Sequence, residues 1–327
     1  MKAAWYEKHG PAGEVILVGE LDTPEAGEGE VSVRLSASGV NPSDSKARLG
    51  SRPVKWPFIV PHSDGAGVID QVGPGVDASR VGERVWAFNG QWERPLGTAA
   101  EYIALPADTA IPLPDSVSFT EGACLGIPAM TAHRALLGDG PVAGMTVLVT
   151  GAAGAVGNYG VQLAKWAGAA TVIGTVSSDE KAEAGRGAGA DHIVNYRTEN
   201  AADRIMDITD GKGVDRIVEV DLGENMPVTA SVIKNNGTVA AYASMRVPQP
   251  VFPHYDLMRN NVNVRLVFVY TMPDEAKRSA CGDIVRACEE GRLSHSVGPK
   301  FSLDDVAAAH EVIESGDFIG NVVVEID

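Results

Sequence analysis

"VLVTGAAGAVGNYGVQLAKWAGAATVIGTVSSDEK", residues 147–181, reads as an apolar strand, a glycine turn, a helix and a second strand. Gly151, Gly154 and Gly157 follow the first strand and open the helix. The turn is framed as Ala152-x-Gly154-x-x-Gly157, with alanine where the usual dinucleotide fingerprint has its first glycine. Gly154 lets the main chain approach a pyrophosphate, and Gly157 lets the helix pack closely on the strand. The N–H groups at the helix start, from Ala155 and Val156, face the phosphates. A lone glycine pattern is weak, but here it lies between a strand and a helix inside a βαβ unit, the context that supports it.

The second strand ends about 20 residues after the turn, where an Asp or Glu normally holds the adenosine 2′-hydroxyl of NAD. Ser177 and Ser178 occupy that place. A carboxylate there repels a 2′-phosphate, whereas hydroxyls donate to it. Lys181, one helical turn on, and Tyr196 and Arg197, after the third strand, are expected to complete a phosphate pocket, the alternative being a solvated surface lysine and a packed tyrosine. Asp179 is the complication, since a small shift of the strand end makes it the missing carboxylate. The expected cofactor is NADPH.

Working outward, strands are expected over Thr146–Thr150, Thr171–Val176, His192–Tyr196, Arg216–Val220, Thr238–Tyr242 and Val264–Tyr270, with helices between at least the first five. That rhythm predicts a doubly wound parallel sheet covered by helices on both faces. The first ~120 residues differ: rich in glycine and proline, with short β-like runs such as "EVSVRLSASGV", they predict a small curved β domain. "GACLGIPAMTAHRALL" reads as helix, and the tail reads as two helices, "DEAKRSACGDIVRACEEG" and "SLDDVAAAHEVIESG", then a strand "NVVVEID". At 327 residues, two domains are the prior.

Composition narrows the function. A formal net charge of −16 disfavours a duplex or an anionic bilayer as partner. No run approaches the ~20 apolar residues a membrane span needs, and "MKAAWYEKHG" lacks the pattern of a signal peptide. Three cysteines, Cys124, Cys281 and Cys288, make no disulfide framework. A reducing, cytoplasmic setting is the expectation.

Several ordered segments carry a wider likeness: "SGVNPSDSKARLG" at 38–50, "PHSDGAGVIDQVGPGV" at 61–76, "GERV" at 82–85, "GTAAEY" at 97–102, "PAMTAHRAL" at 128–136, the glycine turn, "GADHIVNYR" at 189–197 and "GNVVVEI" at 320–326. Together they resemble the zinc-independent quinone oxidoreductase (zeta-crystallin-like) family of medium-chain dehydrogenase/reductases. The resemblance implies a GroES-like substrate domain from residues 1–122 and 272–327, around a Rossmann dinucleotide-binding domain at 123–271.

Zinc-dependent relatives carry a catalytic Cys where this chain has Asn41, and four cysteines after "GERV"; "WAFNGQWERPLGTAAEY" has none. A catalytic zinc needs three protein ligands, and by resemblance only His62 remains, more readily a packed or surface imidazole than a ligand; no metal is expected. Alcohol oxidation leans on a Lewis acid, whereas reduction of a quinone or conjugated enone needs mainly an acceptor aligned with the nicotinamide. The resemblance therefore implies an NADPH-dependent reductase of quinones or other α,β-unsaturated carbonyls. Its alternatives are a 2-alkenal or enoyl-thioester reductase, or a low-turnover NADPH-binding protein.

By the same resemblance, Asn41 and Asp44 border the nicotinamide ribose and the acceptor as catalytic residues. Thr131 lies by the nicotinamide, Ala243 and Phe268 line the cofactor cleft, and Asn321 stands near the ribose or phosphates. "NPSD" also forms a good capped turn without any ligand. The tyrosine that several members carry soon after this segment is missing, which leaves the proton donor open. Lys46 and Arg48 stand there, suited to an anionic acceptor or to solvent. Finally, "VNVRLVFVY" at 262–270 is expected at the sheet edge, where an exposed strand invites pairing into a homodimer.

Overall fold

The computed structural model describes residues 1–326. Its chain divides into two compact units, one of residues 1–127, 284–289 and 295–327, the other of residues 128–283 and 290–294. From the N-terminus the strands are β1 (Lys2–Trp5), β2 (Leu17–Glu20), β3 (Glu30–Val40), β4 (Asp64–Val72), β5 (Arg84–Ala87), β6 (Tyr102–Pro106) and β7 (Ala110–Pro112). There follow β8 (Thr146–Val149), β9 (Thr171–Val176), β10 (His192–Asn195), β11 (Val214–Glu219), β12 (Ile233–Ala241) and β13 (Asn263–Leu266), and last β14 (Val297–Ser302) and β15 (Asn321–Glu325).

The second unit holds a six-stranded sheet in the order β10-β9-β8-β11-β12-β13, every neighbouring pair parallel. Val147, Leu148 and Val149 are all buried, as a strand covered on both faces requires. Each such side chain contributes roughly 1.5–3 kcal/mol by leaving water. The strand order reverses between β8 and β11, so the crevice beyond their carboxyl ends is the ligand-binding position of an open α/β sheet. The glycine turn leaves β8 at that point.

The first unit is built on a mixed sheet in the order β14-β15-β3-β4-β5-β7, with β6 also paired to β3. Its core gathers Val33, Leu35, Ile69, Val85, Ile103 and Leu105 with Val322 and Val324 from the far end of the chain. The α/β architecture expected from the sequence is the one found. Two details differ. The apolar run after Val264 leaves the sheet at Leu266 and closes as a 3-10 turn at Val269–Thr271. "GACLGIPAMTAHRALL" breaks at Pro128, so the regular helix starts only at Met130, because proline lacks the N–H that an interior helical position needs.

Candidate active site

The glycine turn is tied down by its own main chain. Gly154 donates its N–H to the Gly151 carbonyl (2.9 Å), and Ala152 donates to the Thr175 carbonyl (3.0 Å). Gly151 has φ +68° and donates its N–H to the Thr175 hydroxyl (3.2 Å). A Cβ on Gly157 would lie 2.1 Å from the Gly151 carbonyl oxygen, so only glycine lets this helix start so close to the turn. Gly154 caps the helix Ala155–Trp166 with no side chain bonded to its first turn. The first N–H groups of a helix have no partner within it and form its positive end. At Ala155 and Val156 the turn thus offers what a pyrophosphate takes, with Gly154 leaving room for its approach, and the residues fit a dinucleotide.

At the end of β9 the chain stops pairing after Val176, so Ser177 and Ser178, both half-buried, follow the strand directly. Ser178 caps the helix Asp179–Gly187, its hydroxyl accepting the Lys181 N–H (3.3 Å). Asp179 lies beyond that cap, exposed in the first helical turn. β9 ends three positions before Asp179, with Ser177 and Ser178 between them. Tyr196 donates its N–H to the Val176 carbonyl (3.1 Å), which sets exposed Tyr196 and Arg197 beside the same strand end. Ser177, Ser178, Lys181, Tyr196 and Arg197 are brought together at one corner of this unit.

The remaining positions of this unit are placed as follows. Thr131 is buried on the helix Met130–Leu137. Ala243, half-buried just past β12, accepts the Leu222 N–H on its carbonyl (3.0 Å). Phe268 is 53% exposed, outside the strand where it was expected, its ring centroid 5.2 Å from that of Tyr270. One residue at the switch point went unread. Glu219, at the end of β11, is fully buried and accepts from the Asp221 N–H (2.7 Å) and the Asn225 side chain (2.7 Å), with the Thr150 hydroxyl at 3.1 Å. Burial pushes its carboxyl upward, against these donors. A glutamate closing the apolar run "RIVE" was the available signal.

In the first unit, Asn41 and Asp44 flank the first turn of the short helix Pro42–Lys46, and both are buried. Asp44 accepts the Asn41 N–H on Oδ2 (2.8 Å), while its Oδ1 has no hydrogen-bond partner among the described residues. Burial pushes the Asp44 carboxyl up to about 7. The Asn41 side chain donates through Nδ2 to Asp64 Oδ2 (2.8 Å). Burial, and after it the Asp44 charge, raises Asp64 well above the usual carboxylate range, against the pull of the N–H groups of Asn41 and Ile127. Asn321, buried at the start of β15, donates from both its main chain (2.7 Å) and its side chain (3.0 Å) to the Ser296 carbonyl.

His62 is fully buried at φ +74°, a conformation that costs a non-glycine residue energy. Both its ring nitrogens are engaged. Arg48 Nε can only donate, so His310 Nδ1 accepts from it (3.4 Å) and the His310 proton sits on Nε2. That proton is donated to His62 Nε2 (3.0 Å), leaving His62 Nδ1 to donate to Ser38 Oγ (2.9 Å). Ser38 donates to Thr98 (2.8 Å), and Thr98 to the Asp64 carbonyl (2.6 Å). Burial holds the His62 imidazole down to about 3 and lowers His310 as well, so both are neutral. Arg48 is itself fully buried, bonded to the Gly10 carbonyl and to Glu314, and so is not offered to an anionic acceptor. Its spacing after "NPSD" carried no sign of this, because its partner Glu314 lies 266 residues away.

Comparison with known proteins shows what the chain is similar to. Residues 27–115 match the alcohol dehydrogenase GroES-like domain and residues 155–281 the zinc-binding dehydrogenase domain. The chain is 32% identical to a quinone oxidoreductase of Rattus norvegicus over 324 residues, 98% of this chain and 95% of that protein. It is 33% identical to a 2-haloacrylate reductase of a Burkholderia species, covering 99% of this chain and 98% of that one. Among solved structures, the Escherichia coli quinone oxidoreductase complexed with NADPH superposes with a TM-score of 0.87 at 26% identity, covering 99% of this chain and 100% of that one.

Proposed function

We propose, because this chain belongs to the quinone oxidoreductase family of the medium-chain dehydrogenase/reductases, that it is an NADPH-dependent reductase of quinones or other α,β-unsaturated carbonyls, working without zinc. The observation that carries this reading is the corner of the second unit where an uncapped helix start stands beside a strand end free of carboxylate. NADPH, when bound, supplies the hydride. Ala155 and Val156 hold its pyrophosphate through main-chain N–H groups, Gly154 lets the main chain approach it, and Gly157 keeps the helix start in place. Ser177, Ser178, Lys181 and Tyr196 take the 2′-phosphate. Thr131, Ala243, Phe268 and Asn321 are assigned to the rest of the cofactor, and Asn41 and Asp44 to the nicotinamide ribose and the acceptor.

The amide of Asn41 stands where zinc-dependent relatives place a thiolate, so the residues present suit an acceptor that needs no Lewis acid. Similarity to a 2-haloacrylate reductase supports a conjugated double bond as the feature recognised. The molecule works as a homodimer in a cytoplasmic setting, joined at the β13 edge.

The test is NADPH consumption with a benzoquinone and a conjugated enone, set against oxidation of simple alcohols with NADP⁺. Quinone or enone reduction should be the faster by far. Alcohol oxidation as the faster reaction would refute the reading, as would a stoichiometric zinc whose removal abolished activity.

A further inference from the structure

Asp64 belongs to no site residue named so far, yet Asn41 rests on it. It opens β4 and is fully buried. Its Oδ2 accepts from Asn41 Nδ2 at 2.8 Å, and the Ile127 N–H lies 2.9 and 2.8 Å from its two oxygens. A Cβ on Gly126 would sit 2.1 Å from Asp64 Oδ1, so a glycine there is what admits the carboxylate to the Ile127 amide. Its main-chain carbonyl is the terminus of the chain of donors that begins at Arg48 and runs through His310, His62, Ser38 and Thr98. Both the backbone and the carboxylate of Asp64 are therefore anchored independently of Asn41.

Asp64 Oδ2 lies 2.8 Å from both Asn41 Nδ2 and the Ile127 N, and a carboxyl oxygen set between two donors accepts from both, which admits one orientation of the neighbouring amide. The NH2 end of Asn41 must face Asp64, and the carbonyl end is turned away from it. We propose that Asp64 is a positioning residue for the reaction: it fixes which end of the Asn41 amide the ligand meets. The carbonyl end so turned meets the Asp44 N–H in a capping box, and its second lone pair is left to accept from a hydroxyl such as those of the nicotinamide ribose. The inference rests on the reading of Asn41 given under the proposed function.

Steady-state kinetics with benzoquinone, and NADPH affinity from fluorescence, both at pH 8, provide the test. Asp64→Asn places an NH2 group where Asn41 now donates and should lower kcat about 10- to 100-fold, the scale of lost alignment, with NADPH affinity unchanged within about twofold. Asn41→Ala should show a similar loss. Adding Asp64→Asn to Asn41→Ala should cost little more, because residues acting through one another are not additive. An unchanged kcat in Asp64→Asn, or a full additive loss in the double variant, overturns the inference while leaving the site reading intact. Full activity in Asn41→Ala removes the site reading and this inference with it. If Asp64→Asn does not fold, the native protein still decides the matter. The side-chain NH2 resonances of Asn41, assigned by their loss in Asn41→Ala, should be resolved and slow to exchange with solvent. Averaged, rapidly exchanging protons would overturn the proposal.

Discussion

At the scale of single residues, Lys181 and Asp44 carry the sharpest expectations. Lys181 is half-buried beside the end of β9, and its proposed partner is a phosphate that NADH lacks. Lys181→Ala should weaken NADPH about 10-fold, worth about 1.4 kcal/mol, and leave NADH nearly unchanged; fluorescence titration with both cofactors checks this. Equal losses would return Lys181 to the solvated surface. Asp44 titrates near 7 in the fold because it is buried, against about 3.9 in an unfolded chain. The folded state therefore holds this proton more tightly, and the stability so gained is full below pH ~4 and lost as pH rises toward 7. Relative to Asp44→Asn, the wild type should melt at a progressively lower temperature between pH 4 and 8. A constant gap across that range would show Asp44 ionised throughout.

At the scale of elements, the glycine turn separates folding from binding. Gly157→Ala puts a methyl group 2.1 Å from a main-chain oxygen, so it should destabilise the protein by about 1–3 kcal/mol and abolish NADPH binding. At Gly154 the nearest atom to an added Cβ is 3.4 Å away, and φ is −77°. Gly154→Ala should then keep stability within about 0.5 kcal/mol yet bind NADPH at least about 10-fold more weakly, since the methyl group meets only the ligand. Thermal melting and titration of the two variants distinguish these outcomes; normal NADPH affinity in Gly154→Ala would mean that no pyrophosphate approaches this turn.

At the scale of the whole molecule, β13 is the last strand of its sheet, and no described residue pairs with its outer edge. Leu266 is 75% and Phe268 53% exposed, with Met258 and Tyr255 also exposed nearby in sequence. Apolar edges of this kind are normally covered, which supports the proposed homodimer. Light scattering at micromolar concentration should give about twice the 34.2 kDa chain mass, and Leu266→Asp should shift it toward one chain. A monomer for the unaltered protein would contradict the dimer.

The parallel sheet, the glycine turn and the carboxylate-free strand end were all legible in the sequence, because each depends on neighbours within a few residues. Apolar runs bounded by turns mark buried strands, and β9 ends at Val176 as its run of apolar residues does. The strand expected to reach Tyr270 stopped at Leu266, since an apolar run shows what avoids water and not where hydrogen-bonded pairing ends. Tertiary structure alone decided the polar interior. Asp64 meets Ile127 across 63 residues, and His62 meets His310 across 248. In sequence such residues look like ordinary surface polar groups, because burial and partner are properties of the packed chain. Only folding shows that Arg48 is buried on Glu314 and that Asn41 is held by Asp64. A buried polar group is stable only when its partner arrives with it, and for these groups most partners come from distant parts of the chain.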